Sequence, residues 1–464
     1  MADNISNLYE AQESRAHSLA EGKWARFVEG IDDVRTKETT ATVLENAARW
    51  MGQMDETVRA VNVGNFDRFA FPLIRATYPN LVAHELCSVQ PMDGPVGLIF
   101  YFDLLYGSDK GSIVRGQPVF SSLSGHPGDD TYTAPEVSDE NVGTGTGAAV
   151  LFAPTLAWTP VLPGTVSITD GTQVVTDDGA GNLQGDVNPL GPNTINYDTG
   201  VISVRFAAAP ALASPVEASY EYDNEANSQI PEIDFQITSS PVTAKVFKLR
   251  TRYSLESAQN LRSLHGLDAE TELVVALAQE LRFEIDRNII KDIDAFAQAT
   301  AVTWSLTPPG GISYTEHKLS FVDVLIQASN NIFELTRRGQ PNWVIGGLQV
   351  ANVIESLPGF KASPELASQN GVILAGQLNG RWNIYKDPYN VDGSVDQKNF
   401  LVGWKGATFL DAGYVYSPYI PFYTTPLVVL DDFIARKGMA CQFGKKRING
   451  RFYNSSSVVG TWAP

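Results

Sequence analysis

Apolar residues recur along the first sixty positions at helical spacing. Leu8 to Val28 carries a helical pattern. Thr42 reads as the N-cap of a second, which carries Val43, Leu44, Ala47, Ala48, Met51, Met54 and Val58 on one face. Such a face needs a surface to lie on, and two fit equally: another chain, or this chain's own first domain.

From residue 65 the period changes. A short helix-like stretch, FDRFAFPLIRATYP, leads into ELCSVQPM and GLIFYFDLLYG, whose β-branched and aromatic content predicts strands joined by a turn at Pro91, Gly94 and Pro95. Residues 108–141 have no period and read as a loop or extended arm. GTGTG at Gly143–Gly147 reads as a flexible linker into a β-rich insert, 143–227, with short alternating segments (VSIT, TQVVT, TINYD, VISVRF, EASYEY) and turns at Asp170-Gly171, Asp178-Gly179, Gly181-Asn182 and Asp198-Thr199-Gly200.

Beyond the insert, DFQITSSPVTAKVFKLRTRYSLE predicts one or two long strands. Leu273, Leu277, Leu281, Ile285, Ile289, Ile293 and Phe296 then repeat nearly every fourth residue behind Asp268, a plausible N-cap with Glu270 and Glu272 in the first turn. A helix over 268–298 would be ~45 Å long, enough for the spine of a domain. PPGG at Pro308 interrupts the chain. Helices at 319–336 and 349–357 then alternate with strands at NWVIGG, RWNIYKD, NFLVGWKG and GYVYSPYI, predicting an α/β domain over 310–418. The last long segment, TPLVVLDDFIARKGMACQFGKKRI, should return to the spine region.

Charge separates these parts. The chain has 464 residues and a formal net charge of -18. Residues 130–236 hold fifteen acidic side chains against one basic, Arg205, which is -14 of that total. After Asp432 there is no acid, while Arg436, Lys437, Lys445, Lys446, Arg447 and Arg451 form a basic strip. The strip could face a polyanion such as DNA or pair with acidic protein surfaces. Its alternation with Phe443, Ile448 and Phe452 favours protein.

Chemistry is hard to find. The histidines His17, His84, His126, His265 and His317 have no metal-ligand spacing, Cys87 and Cys441 have no CxxC partner, and neither a GxSxG elbow nor a P-loop occurs. DDGAGNLQGD from Asp177 lacks the ligand order of an EF-hand. No catalytic residue, cofactor or metal site is predicted. No apolar run reaches the ~20 residues of a spanning helix, and no membrane partner is expected.

Three blocks carry a resemblance. FPLIRATYPNLVAHELCSVQPMDGPVGLIFYFDLLYGS from Phe71, KVFKLRTRYSLESAQNLRSLHGLDAETELVVALAQELRFEIDRNII from Lys245, and GQLNGRWNIYKDPY from Gly376 through FLVGWKG to DAGYVYSPYIPF resemble, in order, the T-even-type bacteriophage major capsid proteins. The resemblance implies an α+β Hong Kong 97-type phage capsid fold with an inserted all-β domain. It assigns 1–64 to an N-terminal helical arm, 65–142, 228–309 and 419–464 to a peripheral domain with E-loop and spine helix, 143–227 to the insert, and 310–418 to the axial domain.

Its functional implication is a self-assembling shell subunit, not an enzyme. Expected partners are further copies of itself in hexamers and pentamers, scaffold, portal, decoration or vertex proteins, and packaged double-stranded DNA bound without sequence preference. Assembly would take place in the host bacterial cytoplasm, and the mature protein would reside in the virion capsid. An alternative makes the shell a carrier whose insert binds a decoration protein or host glycan. Relatives are often trimmed after Leu or Ile, any residue, then Glu; Leu8-Tyr9-Glu10 fits and Val43-Leu44-Glu45 does not. Glu10 is thus the candidate cleavage position, although the arm is expected to stay in the shell as a clamp.

Overall fold

The computed structural model describes residues 2–55, 78–79, 81–119, 132–364, 371–389, 398–406, 411, 413–425, 427–429 and 434–460. They form two compact units, Met1–Phe102 with Ile237–Pro464, and Asp103–Gln236. Most of the helix-like stretch from Phe66, and Val58 on the predicted N-terminal face, lie outside the described residues.

In the first unit, helices Ala2–Glu21 and Val34–Asp55 pack on one another and on this chain's own sheet, through Asn46, which donates to the Met92 and Tyr419 carbonyls at 2.7 and 3.1 Å. Of the two surfaces open to the amphipathic face, the chain itself supplies one. Thr42 is not a cap. The second helix begins earlier, where Asp33 accepts from the Thr36 amide at 2.9 Å, and Thr39, Thr40 and Thr42 return their hydroxyls to carbonyls four residues back. That back-bonding satisfies the hydroxyls inside the helix, so a threonine run that looks like a boundary can be buried within it.

Two strands follow, the short β1 (Ser88–Val89) and the long β2 (Val96–Tyr106). The second unit then holds β3 (Glu136–Thr144), β4 (Leu151–Phe152), β5 (Ser167–Thr169), β6 (Val174–Asp177), β7 (Leu183–Gly185), β8 (Thr194–Ile195), β9 (Ile202–Arg205) and β10 (Pro215–Glu221). Their sheets run β3-β10-β5-β6-β7 and β4-β9-β8, closing over Val137, Trp158, Ile168, Ile202, Phe206 and Tyr220. This β-rich unit starts ahead of Gly143. GTGTG is the end of β3 and its following turn, because residues 136–144 find an antiparallel partner in β10 that no local signal announces.

The chain leaves by β11 (Ile233–Thr243), which pairs with β2, and β12 (Lys245–Ser254), so the predicted long segment is two strands. A helix over Leu255–His265 ends at Gly266 in the left-handed conformation (φ 66°), and the long helix follows over Ala269–Asp294. At 26 residues it is ~39 Å long, and it buries Leu277, Leu281, Ile285, Ile289, Ile290 and Ile293.

Beyond it lie β13 (Thr303–Ser305), the helices Phe321–Thr336 and Leu348–Glu355, and strands β14 (Trp343–Gly347), β15 (Phe360–Ala362), β16 (Ile373–Leu378), β17 (Trp382–Asp387) and β18 (Asn399–Gly403). The chain ends with β19 (Tyr414–Thr424), β20 (Val428–Val429), β21 (Ile434–Arg447) and β22 (Tyr453–Val459). One mixed sheet runs β13-β22-β18-β14-β17-β16-β15; the other runs β1-β19-β21-β12 with β20 beside β21. The sequence boundary at Pro418 falls inside β19, which belongs wholly to the second sheet. The C-terminal segment is divided: β21 lies between β12 and β19, whereas β22 crosses to pair with β13 and β18.

Candidate functional site

Strand alternation sorts the basic strip. Lys437, Met439, Cys441, Phe443, Lys445 and Arg447 occupy one face of β21. Met439, Cys441 and Phe443 join the core that contains Leu277, Leu281 and Ile285 of the long helix. The cations at the two ends of this row reach the helix termini. Lys437 Nζ donates to Glu270 in the first turn. At the other end Lys445 Nζ lies 2.6 Å from Asp292 Oδ2, and Arg447 Nη2 is 3.3 Å from Oδ1.

Tyr414 adds its hydroxyl to Asp292 at 3.0 Å. Burial pushes the Asp292 carboxyl up, but hydrogen bonds from Lys445 and Tyr414 and the charges of Lys445 and Arg447 outweigh it and hold the group below the usual carboxylate range. An acid in the first turn and cations at the last also suit the helix dipole. Three of the six predicted cations therefore bind the chain's own long helix. Arg436 and Lys446 sit at the opposite-facing positions of β21, and Arg451 lies in the turn before β22. Glu10 is in the first helix, and its side chain lies outside the described residues.

Beneath the same helix is a buried polar cluster. Asp286 is 2% exposed, accepts the Val82 amide at 3.2 Å, and lies 3.8 Å from Arg282 Nε. Burial pushes its carboxyl up to about 7, with Arg282 opposing and Asp387 reinforcing. His84 is driven down to about 4 by burial and then by the charge of Lys405, whose ammonium donates to the His84 carbonyl.

Cys87 and Cys441 are both buried and unbridged, and burial raises each thiol to about 12, so neither is a thiolate nucleophile near neutrality. Two acids of the β-rich unit are held in turns. Asp170 accepts the Thr172 and Gln173 amides at 2.8 and 2.6 Å, and Asp178 accepts those of Ala180 and Asn182 at 2.8 and 3.0 Å. Among the described residues no three His, Cys, Asp or Glu side chains converge on a metal position.

A second basic row escaped the sequence reading. β12 is the edge of its sheet, and Val246, Lys248, Arg250 and Arg252 are exposed on one of its faces, while Phe247 and Leu249 pack inward on the other. Arg252 stands directly opposite Arg436 of β21. The signal was present in KVFKLRTRYS as cations at alternate positions, but which face was covered depended on tertiary packing.

The family described as major capsid protein Gp23 matches residues 63–458. The major capsid protein of Vibrio phage KVP40 is 28% identical over 404 residues, covering 79% of this chain and 72% of that protein. That of Escherichia phage AR1 is 30% identical over 383 residues, covering 76% and 70%, and that of Enterobacteria phage T4 is 29% identical over 391 residues, with the same coverage. Among solved structures, the capsid of Myoviridae phage XM1 aligns at a TM-score of 0.34 and 10% identity over 52% of this chain and 81% of the other. The mature capsid of bacteriophage PhiM1 aligns at 0.34 and 12% over 52% and 79%.

Proposed function

The chain belongs to the Gp23 major capsid protein family, and from that premise we propose how its parts build a shell. It is a major capsid protein of a tailed bacteriophage, a structural subunit of the icosahedral head that assembles with further copies of itself. The observation that carries this is the match over 63–458, which spans both compact units.

Within that role, the α/β region around β14–β18 serves as the axial domain, meeting its counterparts around the five- and six-fold axes in pentamers and hexamers. The β2–β11 ribbon acts as the E-loop and the long helix as the spine. Lys437, Lys445 and Arg447 strap that helix to its sheet, and Lys446, on the opposite face of β21, meets a neighbour or packaged DNA. The N-terminal helices, seated on their own sheet through Asn46, stay with the mature shell.

Scaffold, portal and decoration or vertex proteins complete assembly in the host cytoplasm, and the interior encloses double-stranded DNA. No catalytic step is assigned to the chain. Expression with its scaffold should yield closed particles by sedimentation and electron microscopy. Small oligomers alone, under every condition tried, would sink the proposal.

A further inference from the structure

Two like-charge pairs stand opposite each other across strands of this chain. On β12 and β21, Arg252 faces Arg436, and Lys248 and Arg250 extend the row at the ~6.7 Å repeat of alternate strand residues. On β3 and β10, Glu136 faces Glu221, both exposed at the end of the ladder. Like charges directly opposed on a sheet disfavour that pairing. The side chains of Lys248, Arg250 and Arg252 make no hydrogen bond or ion pair within the described structure, unlike Lys437, Lys445 and Arg447. The same holds for the carboxylates of Glu136 and Glu221.

We infer that the outward face of β12, with Lys248, Arg250 and Arg252 beside Arg436, docks on the Glu136–Glu221 face of the β-rich unit of a second copy of this chain. Three observations select that partner. The signs are opposite, and the unit that carries the acids also carries most of the chain's net negative charge, fifteen acids against one base over 130–236. The cations stand at alternate residues of β12, and the carboxylates of Glu136 and Glu221 stand side by side at the end of the β3–β10 ladder, so the end of the cation row can meet the paired carboxylates. Each subunit supplies one surface of each kind, the stoichiometry a closed shell of identical chains requires. Opposed charges would also set register and reject wrong pairings during growth, which is where electrostatic complementarity contributes most.

The inference rests on the shell reading and is tested with the full chain expressed with the proteins its assembly requires. Arg250→Glu with Arg252→Glu, and separately Glu136→Arg with Glu221→Arg, should each lower the yield of closed particles by about tenfold, while circular dichroism of the soluble chain is unchanged. Combining all four substitutions should return the yield to within about twofold of the unaltered chain. Normal assembly of either reversal, or failure of the combination to recover, overturns the inference. Normal particles holding less DNA overturn it in favour of a nucleic-acid face.

A second measurement does not depend on yield. The native cysteines are buried, so a particle assembled from Arg252→Cys and Glu221→Cys chains mixed together should form, on mild oxidation, a disulfide-linked pair of chains on a non-reducing gel. Absence of that pair overturns the inference. If the unaltered chain itself gives only small oligomers, the shell reading fails first, and the inference falls with it.

Discussion

The carboxylate of Asp286 accepts a hydrogen bond at 3.2 Å from the backbone N–H of Val82, which lies 204 positions earlier in the chain. The bond ties the middle of the long helix to the segment that leads into β1, and it places an acid where water does not reach. Arg282, one turn back, approaches only to 3.8 Å, too far to offset the loss of solvation fully.

The first prediction concerns pH. The folded Asp286 carboxyl titrates at about 7 against a usual 3.8. A raised acid favours the fold in its protonated form, so the stability it allows is fully present below pH ~4 and is lost as pH rises toward ~7. Asp286→Asn keeps an oxygen for the Val82 amide and removes that loss. The melting temperature of the unassembled chain should therefore rise more at pH 8 than at pH 4.5, and equal shifts at both would contradict the buried-acid reading.

His84 should behave in the opposite sense. Its folded value of about 4 lies below the usual 6.5, so stability is fully present above pH ~6.5 and is lost as pH falls toward ~4. His84→Phe preserves the edge-on ring contact with Tyr78, at 5.0 Å between centroids, and should flatten the acid side of the stability profile. Urea midpoints at pH 7 and pH 5 measure this directly.

Asp292 receives Lys445, Arg447 and Tyr414, whereas Lys437 meets only Glu270 among its ion-pair partners in the described residues. Asp292→Ala should cost about 2–3 kcal/mol, because it strands two cations and a phenol at a half-buried site. Lys437→Ala should cost under ~1 kcal/mol, since Glu270 is 38% exposed and readily rehydrated. Equilibrium urea unfolding of the two variants should rank them in that order.

The two consecutive helices offer a packing contrast. Leu281 is 1% exposed inside the core, and Leu264 is 76% exposed on the helix ahead of Gly266. Leu281→Ala should lose about 2–5 kcal/mol, and Leu264→Ala should stay within ~0.5 kcal/mol. Comparable losses would mean that the shorter helix is buried in the unassembled chain.

What the amino-acid order determined by itself was local or strongly periodic. The long helix was legible because its apolar residues repeat every third or fourth position and Glu270 and Glu272 sit in its first turn, both properties of one continuous segment. The β-rich insert was legible in its turns and alternation, and the family in three ordered blocks. The threonine run of the second helix misled because its hydroxyls bond within the helix, an option that composition does not reveal.

Tertiary structure alone decided the rest, since it depends on residues far apart meeting. Nothing in GKKRING indicates that Lys445 and Arg447 turn toward Asp292, more than 150 positions earlier. KVFKLRTRYS shows an alternation but not which face a helix covers. β19 and β22 lie in different sheets although both are strands near the end of the chain, because strand pairing is set by which partner edge and core accept them. The chain's charge was visible from the start; which charges are spent inside the subunit and which remain on its surface was not.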